Sequence, residues 1–199
     1  MTLDEIAIRC RTDKSTKTHG YTPVYEKYLK KYKDMECDFL EIGVSRGDSI
    51  QMWREWLPNA RITGIDIRNS CRKNHPWDDT TQFFRGDQND PAFLSKVISE
   101  VGPFDVVLDD GCHDMIPQIT SLECLWPAVK PGGLYIIEDM NTSYVPKHDG
   151  GLLKPGTTVE FLKKKLDDLI KDNVTHGEPK SDIEYMHFYE ELVLIRKKQ

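Results

Sequence analysis

The chain has 199 residues, of which 38% are hydrophobic and 30% charged, and a net charge of −6 at pH 7. That length suits one domain with a sizeable core, and the composition is that of a soluble globular protein. The acidic balance argues against a nucleic-acid surface, and no apolar run is long enough to span a bilayer.

The start, Met-Thr-Leu-Asp-Glu-Ile, lacks the basic and apolar regions of a secretory leader. Five scattered cysteines (10, 37, 71, 112, 124) without a Cys-x-x-Cys pair fit reduced thiols rather than a disulfide framework or a structural zinc site. Both features point to the cytoplasm. Residues 1–20 are polar, and a helix is expected from Pro23 to about Lys33, with Pro23 in the first turn after Thr22. Residues 38–44 read as a strand, 48–56 as a helix, 61–67 as a strand and 81–85 as a weaker strand. Residues 91–100 read as a helix capped by Asp90. A strand over 105–109, a helix over 116–129 and a strand over 133–138 follow. Residues 157–171 place Val159, Leu162, Leu166 and Ile170 near the helical period. The strands over 183–188 and 192–195 are joined by a turn too short for a parallel crossover, so they form an antiparallel hairpin. Five β/α units and a hairpin predict an α/β fold: a Rossmann-like, doubly wound, mostly parallel sheet with one reversed strand. Residues 1–35 are expected as a helical segment over the cofactor and substrate pocket, and 36–199 as the main body of a single domain. Two stretches read as loops. One is 69–80, and the other, 141–155, is either a lid or a variable surface loop.

Carboxylates gather at the predicted carboxyl ends of these strands, the edge where open α/β sheets bind ligands. Glu41-Ile42-Gly43-Val44-Ser45-Arg46-Gly47 runs from strand to helix through a glycine turn, where a ligand can approach the backbone. It is neither a Walker loop nor a full Gly-x-Gly-x-x-Gly, because Ser45 takes the middle position. Asp66 closes the second strand, placed for a ribose diol. After the third strand come Asp87 and Gln88, where a carboxylate or amide meets an adenine amino group. Taken singly, Asp66 and Asp87 read equally as loop or cap residues. Together with the glycine turn they trace an adenosine across the sheet. Asp109-Asp110-Gly111-Cys112-His113 and Glu138-Asp139 end the fourth and fifth strands. A helix cap accounts for one of these acids, not for four. Hard carboxylate oxygens suit Mg²⁺, Ca²⁺ or Mn²⁺, and His113 lies three residues beyond Asp110, where it can act as a base.

On these residues the chain resembles the class I S-adenosylmethionine-dependent methyltransferases. The element order, Glu41-x-Gly43-x-x-x-Gly47, Asp66, Gly86-Asp87 and the terminal hairpin all match. The resemblance implies strand order 3-2-1-4-5-7-6 with the last strand antiparallel, and disfavours NAD. More specifically, Thr12-Asp13-Lys14 with His19-Gly20-Tyr21, the Asp109–His113 run, and Glu138-Asp139 with Thr142-Ser143-Tyr144 resemble the metal-dependent O-methyltransferases of macrolide sugars. That resemblance implies that Asp110, Glu138 and Asp139 bind Mg²⁺ or another divalent cation and that His113 is the general base. It also implies that Tyr21 closes over the methionine end of the cofactor, with His19. Cys112 stands where serine is common, and Arg11 where glycine is. Asp109 either lines the methyl-donor pocket or is a structural acid.

The expected activity is O-methyl transfer to a sugar hydroxyl of a glycosylated metabolite, nucleotide sugar or polysaccharide. The expected partner is a small-molecule or glycan acceptor, with no nucleic acid or membrane, and a homo-oligomer is compatible. A catechol or phenol O-methyltransferase and a non-catalytic cofactor-binding partner are the alternatives. Tyr144 and Trp126 are candidates for the acceptor border. Trp53 and Trp56 read as core, and Lys163-Lys164-Lys165 as a solvated helix face. His75, His148 and His176 read as plain surface residues, and His187 as packed in a strand.

Overall fold

A computed structural model describes residues 1–71, 78–171 and 180–199. His75 and His176 lie outside the described residues. The chain divides into two compact units, Met1–Asp87 and Gln88–Gln199. The strand order is 3-2-1-4-5-7-6, as expected. No described helix is long and apolar enough to cross a membrane.

The first unit contains α1 (Leu3–Cys10), α2 (Thr22–Leu29), β1 (Asp38–Ile42), α3 (Asp48–Trp56), β2 (Arg61–Asp66) and β3 (Thr81–Arg85). Its strands run parallel, with Glu41 opposite Gly64 and Asp66 opposite Arg85. Helix α1 lies where only a polar stretch is expected. Thr2 and Glu5 form a reciprocal capping box, in which the Thr2 hydroxyl accepts from Glu5 N–H and the Glu5 carboxylate from Thr2 N–H. Such a cap contributes about 1 kcal/mol and offsets part of the nucleation cost of a two-turn helix. Leu3, Ile6, Ala7 and Cys10 are buried, and α1 packs on α3. There Trp53 and Trp56 are core, as expected, and Trp53 meets Phe39 at 4.9 Å and Tyr25 at 5.4 Å between ring centroids. The N-terminal helices therefore share the core of the first unit.

The second unit contains α4 (Pro91–Val101), β4 (Phe104–Asp109), α5 (Met115–Leu125), β5 (Val129–Ile137), α6 (Thr158–Lys171), β6 (Ile183–Phe188) and β7 (Val193–Lys197). Asp90 caps α4 by accepting from Ala92 and Phe93 N–H. Strand β4 pairs parallel with β5, placing Asp109 opposite Ile137. Strand β7 runs antiparallel to both β5 and β6, which is the expected hairpin. Helix α5 ends four residues before expected. Pro127 lacks an N–H, the chain tightens into a 3₁₀ turn over Trp126–Ala128, and β5 starts at Val129. On α6 the expected apolar stripe is only partly buried: Leu162 is enclosed, whereas Leu166 and Ile170 are exposed. His187, expected to be packed, is exposed and stacks on Tyr185 at 4.1 Å.

Candidate active site

The first unit turns sharply after β1. Gly43 (φ 86°), Ser45 (φ 47°) and Gly47 (φ 90°) all take positive φ, which ends β1 two residues before expected. Glycine enters this region freely and serine only at a cost, so Ser45 needs outside support. Strand β2 supplies it. Ser45 N–H donates to Asp66 Oδ2 at 2.8 Å, and Arg68 N–H to Asp66 Oδ1 at 2.7 Å. Gly86 N–H donates to the Asp66 carbonyl at 3.0 Å. Gly43, Ser45 and Asp66 thus meet at the carboxyl end of the parallel strands, and each Asp66 oxygen retains acceptor capacity for a diol. Asp87 is exposed beside Gly86. Glu41 is fully buried, 3.7 Å from the equally buried Lys14 Nζ. Two unlike charges removed from water are tolerable only as a pair, yet nothing in the local sequence marks Lys14 as buried. Tyr21 is buried and stacks on His19 with ring centroids 5.2 Å apart.

In the second unit, the ends of β4 and β5 carry the acids. A carboxylate oxygen of Asp110, one of Asp139 and a His113 ring nitrogen all lie within 4.8 Å of one another, each residue half-buried. His113 Nε2 is 3.3 Å from Asp139 Oδ2. Its Nδ1 is buried with no hydrogen-bond partner among the described residues. Asp139 turns the chain through φ 54°, a left-handed conformation that aspartate tolerates better than most residues. Glu138 does not join this group among the described residues. It follows the last residue of β5, is 2% exposed, and has its N–H and carbonyl tied to Asp109 and Gln118. A further acid, Glu191, brings a carboxylate oxygen within 4.8 Å of one from Asp139. It sits in the hairpin turn, and no sequence pattern connects it to β5.

Gln88, expected at the adenine, and Asp109, expected either in the methyl-donor pocket or as a structural acid, face each other inside the protein. Asp109 is 1% exposed and accepts from Gln88 Nε2 (3.1 Å), Ser121 Oγ (2.5 Å), the Tyr135 hydroxyl (3.3 Å) and Gly111 N–H (3.3 Å). Burial pushes its carboxyl up to about 6, against the pull of the Ser121, Gly111 and Gln88 hydrogen bonds. Asp109 is thus enclosed by hydrogen bonds from its own chain.

The 141–155 loop is folded on itself. It contains 3₁₀ turns at Met140–Tyr144 and Pro146–His148, and Thr142 Oγ1 donates to the Asp139 carbonyl at 2.7 Å. His148, expected as a plain surface residue, is 2.9 Å from Asp114 through Nδ1, and this hydrogen bond holds the Asp114 carboxyl below its usual range. Its ring stands edge-on to His113, with centroids 6.4 Å apart. Tyr144 is exposed on the same loop. Gly150 has no room for a side chain, because a Cβ there would meet the Thr142 carbonyl at 2.4 Å and Val145 N at 2.6 Å. Gly150→Ala should therefore cost about 1–3 kcal/mol and lower the melting temperature by roughly 2–10 °C in a thermal melt. An unchanged melt would mean that the loop does not pack this closely. Trp126 is not at this edge. It precedes β5, whose nine residues span roughly 30 Å, and it lines a groove of about 460 Å³ with Leu122, Phe161 and Ile183.

The donor set fits a hard divalent cation. Carboxylate oxygens of Asp110 and Asp139 lie within 4.8 Å of each other, as two ligands of one cation would, with the His113 ring beside them and its Nδ1 without a hydrogen-bond partner among the described residues. Residues 40–140 match the family model of a methyltransferase domain. Mycinamicin VI 2''-O-methyltransferase of Micromonospora griseorubida is 35% identical over 212 residues, covering 98% of this chain and 52% of that protein. The 8-demethyl-8-(2-methoxy-alpha-L-rhamnosyl)-tetracenomycin-C 3'-O-methyltransferase of Streptomyces olivaceus is 34% identical over 211 residues, 98% of this chain and 53% of that protein. The solved structure of the MycE methyltransferase in complex with Mg, SAH and mycinamycin VI superposes with a TM-score of 0.91 at 32% identity, over 100% of this chain and 54% of that one. The chain thus spans about half the length of the relatives that it matches.

Proposed function

The chain belongs to the methyltransferase-domain family matched over residues 40–140, and from that premise we propose that it is a cytoplasmic, metal-dependent O-methyltransferase for a sugar hydroxyl on a glycosylated small molecule. The observation that carries this reading is the convergence of Asp110, His113 and Asp139 where β4 and β5 end. The two relatives above are named for O-methylation, one on mycinamicin VI and the other on a rhamnosyl tetracenomycin, which supports the acceptor class. The SAH and Mg of the MycE complex support the cofactors.

In the proposed reaction Asp66 accepts from the ribose diol, while the Gly43–Ser45 turn lets the donor approach the backbone. Glu41 and Tyr21 are proposed at the amino-acid end of the donor, and Asp87 at its adenine. When bound, S-adenosylmethionine supplies the methyl group, which passes from sulfonium sulfur to the acceptor oxygen and leaves S-adenosylhomocysteine. Asp110 and Asp139, with Glu138 after a side-chain rotation, are proposed to hold the divalent cation. When bound, that cation supplies Lewis acidity and a template for the acceptor hydroxyls. His113 takes the hydroxyl proton, and its Asp139 contact at Nε2 orients the ring.

Calorimetric titration with S-adenosylhomocysteine, then Mg²⁺, then chelator tests the reading. We expect a nucleoside heat and a separate Mg²⁺ heat that chelator reverses. Nucleoside binding without a Mg²⁺ heat would retain the methyl transfer and remove the metal. Absence of both would remove the function.

A further inference from the structure

We propose that Gln88 is a positioning residue of the loop that carries Asp110 and His113, and not a contact to the nucleoside. This rests on the metal-and-base reading above. The proposal follows from where the two ends of one amide go. Gln88 Nε2 donates to Asp109 Oδ1 at 3.1 Å and Oδ2 at 3.3 Å, and to Ser121 Oγ at 3.3 Å. That occupies both of its N–H bonds. Gln88 Oε1 accepts from Cys112 N–H at 2.5 Å. The residue is 6% exposed, so no donor remains to meet an adenine ring.

The position of that last bond gives it consequence. Cys112 N lies one residue before His113 and two after Asp110. Asp109 holds the neighbouring Gly111 N–H at 3.3 Å. Two successive backbone amides of the loop are thus fixed by two buried side chains that are fixed by each other. Ser121 of α5 and Tyr135 of β5 complete the frame around the Asp109 carboxylate, and both are fully buried. The loop cannot shift far without breaking a hydrogen bond to one of two buried side chains, Gln88 or Asp109, and a buried polar atom left without its partner is costly. A ligand set is only as well placed as the groups behind it. Removing a partner behind a metal ligand costs about 10–100-fold in metal affinity or activity.

The test is Gln88→Met, which keeps the volume and removes both hydrogen-bonding ends. Calorimetry with S-adenosylhomocysteine and with Mg²⁺ is run beside the wild type. We expect the Mg²⁺ dissociation constant to rise about 10–100-fold while the nucleoside constant stays within about twofold. Weakened nucleoside binding with unchanged Mg²⁺ affinity would overturn the proposal and restore the adenine contact. Unchanged values for both would overturn it as well. If the wild type itself gives no Mg²⁺ heat, it is the metal reading that fails. Should Gln88→Met not fold, Ser121→Ala removes one support of Asp109 and leaves the Cys112 bond in place. It should raise the Mg²⁺ constant in the same direction by a smaller factor, and an unchanged constant there overturns the proposal.

Discussion

Replacing His113 with alanine should lower turnover by about 10²–10⁴-fold, the usual share of a positioned general base. The expectation comes from the two ring nitrogens. Nε2 is engaged with Asp139 Oδ2 at 3.3 Å, whereas Nδ1 is buried and has no partner among the described residues. A neutral imidazole that donates at Nε2 presents a lone pair at Nδ1, which is the arrangement required of a base. His113 lies in the second unit, whereas Gly43, Ser45 and Asp66 belong to the first, so nucleoside binding should survive the substitution. The measurement is initial-rate kinetics on a glycosylated acceptor, paired with calorimetry on S-adenosylhomocysteine. Added imidazole should recover part of the lost rate, because the truncation leaves a ring-sized space beside Asp139. Near-normal turnover would remove His113 as the base. A fall in Mg²⁺ affinity as large as the fall in rate would make it a ligand instead.

Much of this architecture is legible in the sequence because it is written in local periodicity. The short turn between residues 188 and 193 excludes a parallel crossover, and the hairpin follows. Asp90 before Pro91 marks the start of α4 within one residue. Helix α1 is signalled too, by Thr2-x-x-Glu5 with Leu3, Ile6 and Ala7, but its polar flanks obscure a helix of only eight residues. The site divides along the same line. Gly43, Ser45 and Asp66 belong to one turn and the strand paired with it, so spacing alone brings them together. The partners of Gln88 are Asp109 and Ser121, 21 and 33 residues away, and only packing discloses that its amide is consumed. His148 reads as a solvated loop histidine for the same reason, since Asp114, its partner, is 34 residues distant. Glu138 and Asp139 are adjacent in sequence, but only Asp139 joins Asp110 and His113, while Glu138 is buried, and their adjacency alone does not disclose that difference.

The positive φ of Asp139 makes Asp139→Asn the sharpest probe of the metal. Asparagine is among the few residues that accept the left-handed region as readily as aspartate, so the substitution leaves the backbone unstrained. The Asp139 carbonyl still accepts from Thr142 Oγ1, and an amide oxygen can still accept from His113 Nε2. What disappears is one negative charge in a site built from very few. Partners behind a ligand already matter by about 10–100-fold, so losing the charge of a direct ligand should weaken Mg²⁺ binding by more than about 100-fold. At low Mg²⁺ the turnover should fall with it. The two possible causes separate on titration. If Asp139 is a ligand, raising the Mg²⁺ concentration restores most of the rate, because the base and its orientation are intact. If Asp139 serves only to orient His113, the rate stays low at every Mg²⁺ concentration and the binding heat matches the wild type. Wild-type activity that persists undiminished in chelator would sink the metal role of Asp139 and Asp110 together, since neither half-buried carboxylate would then have a cation to hold.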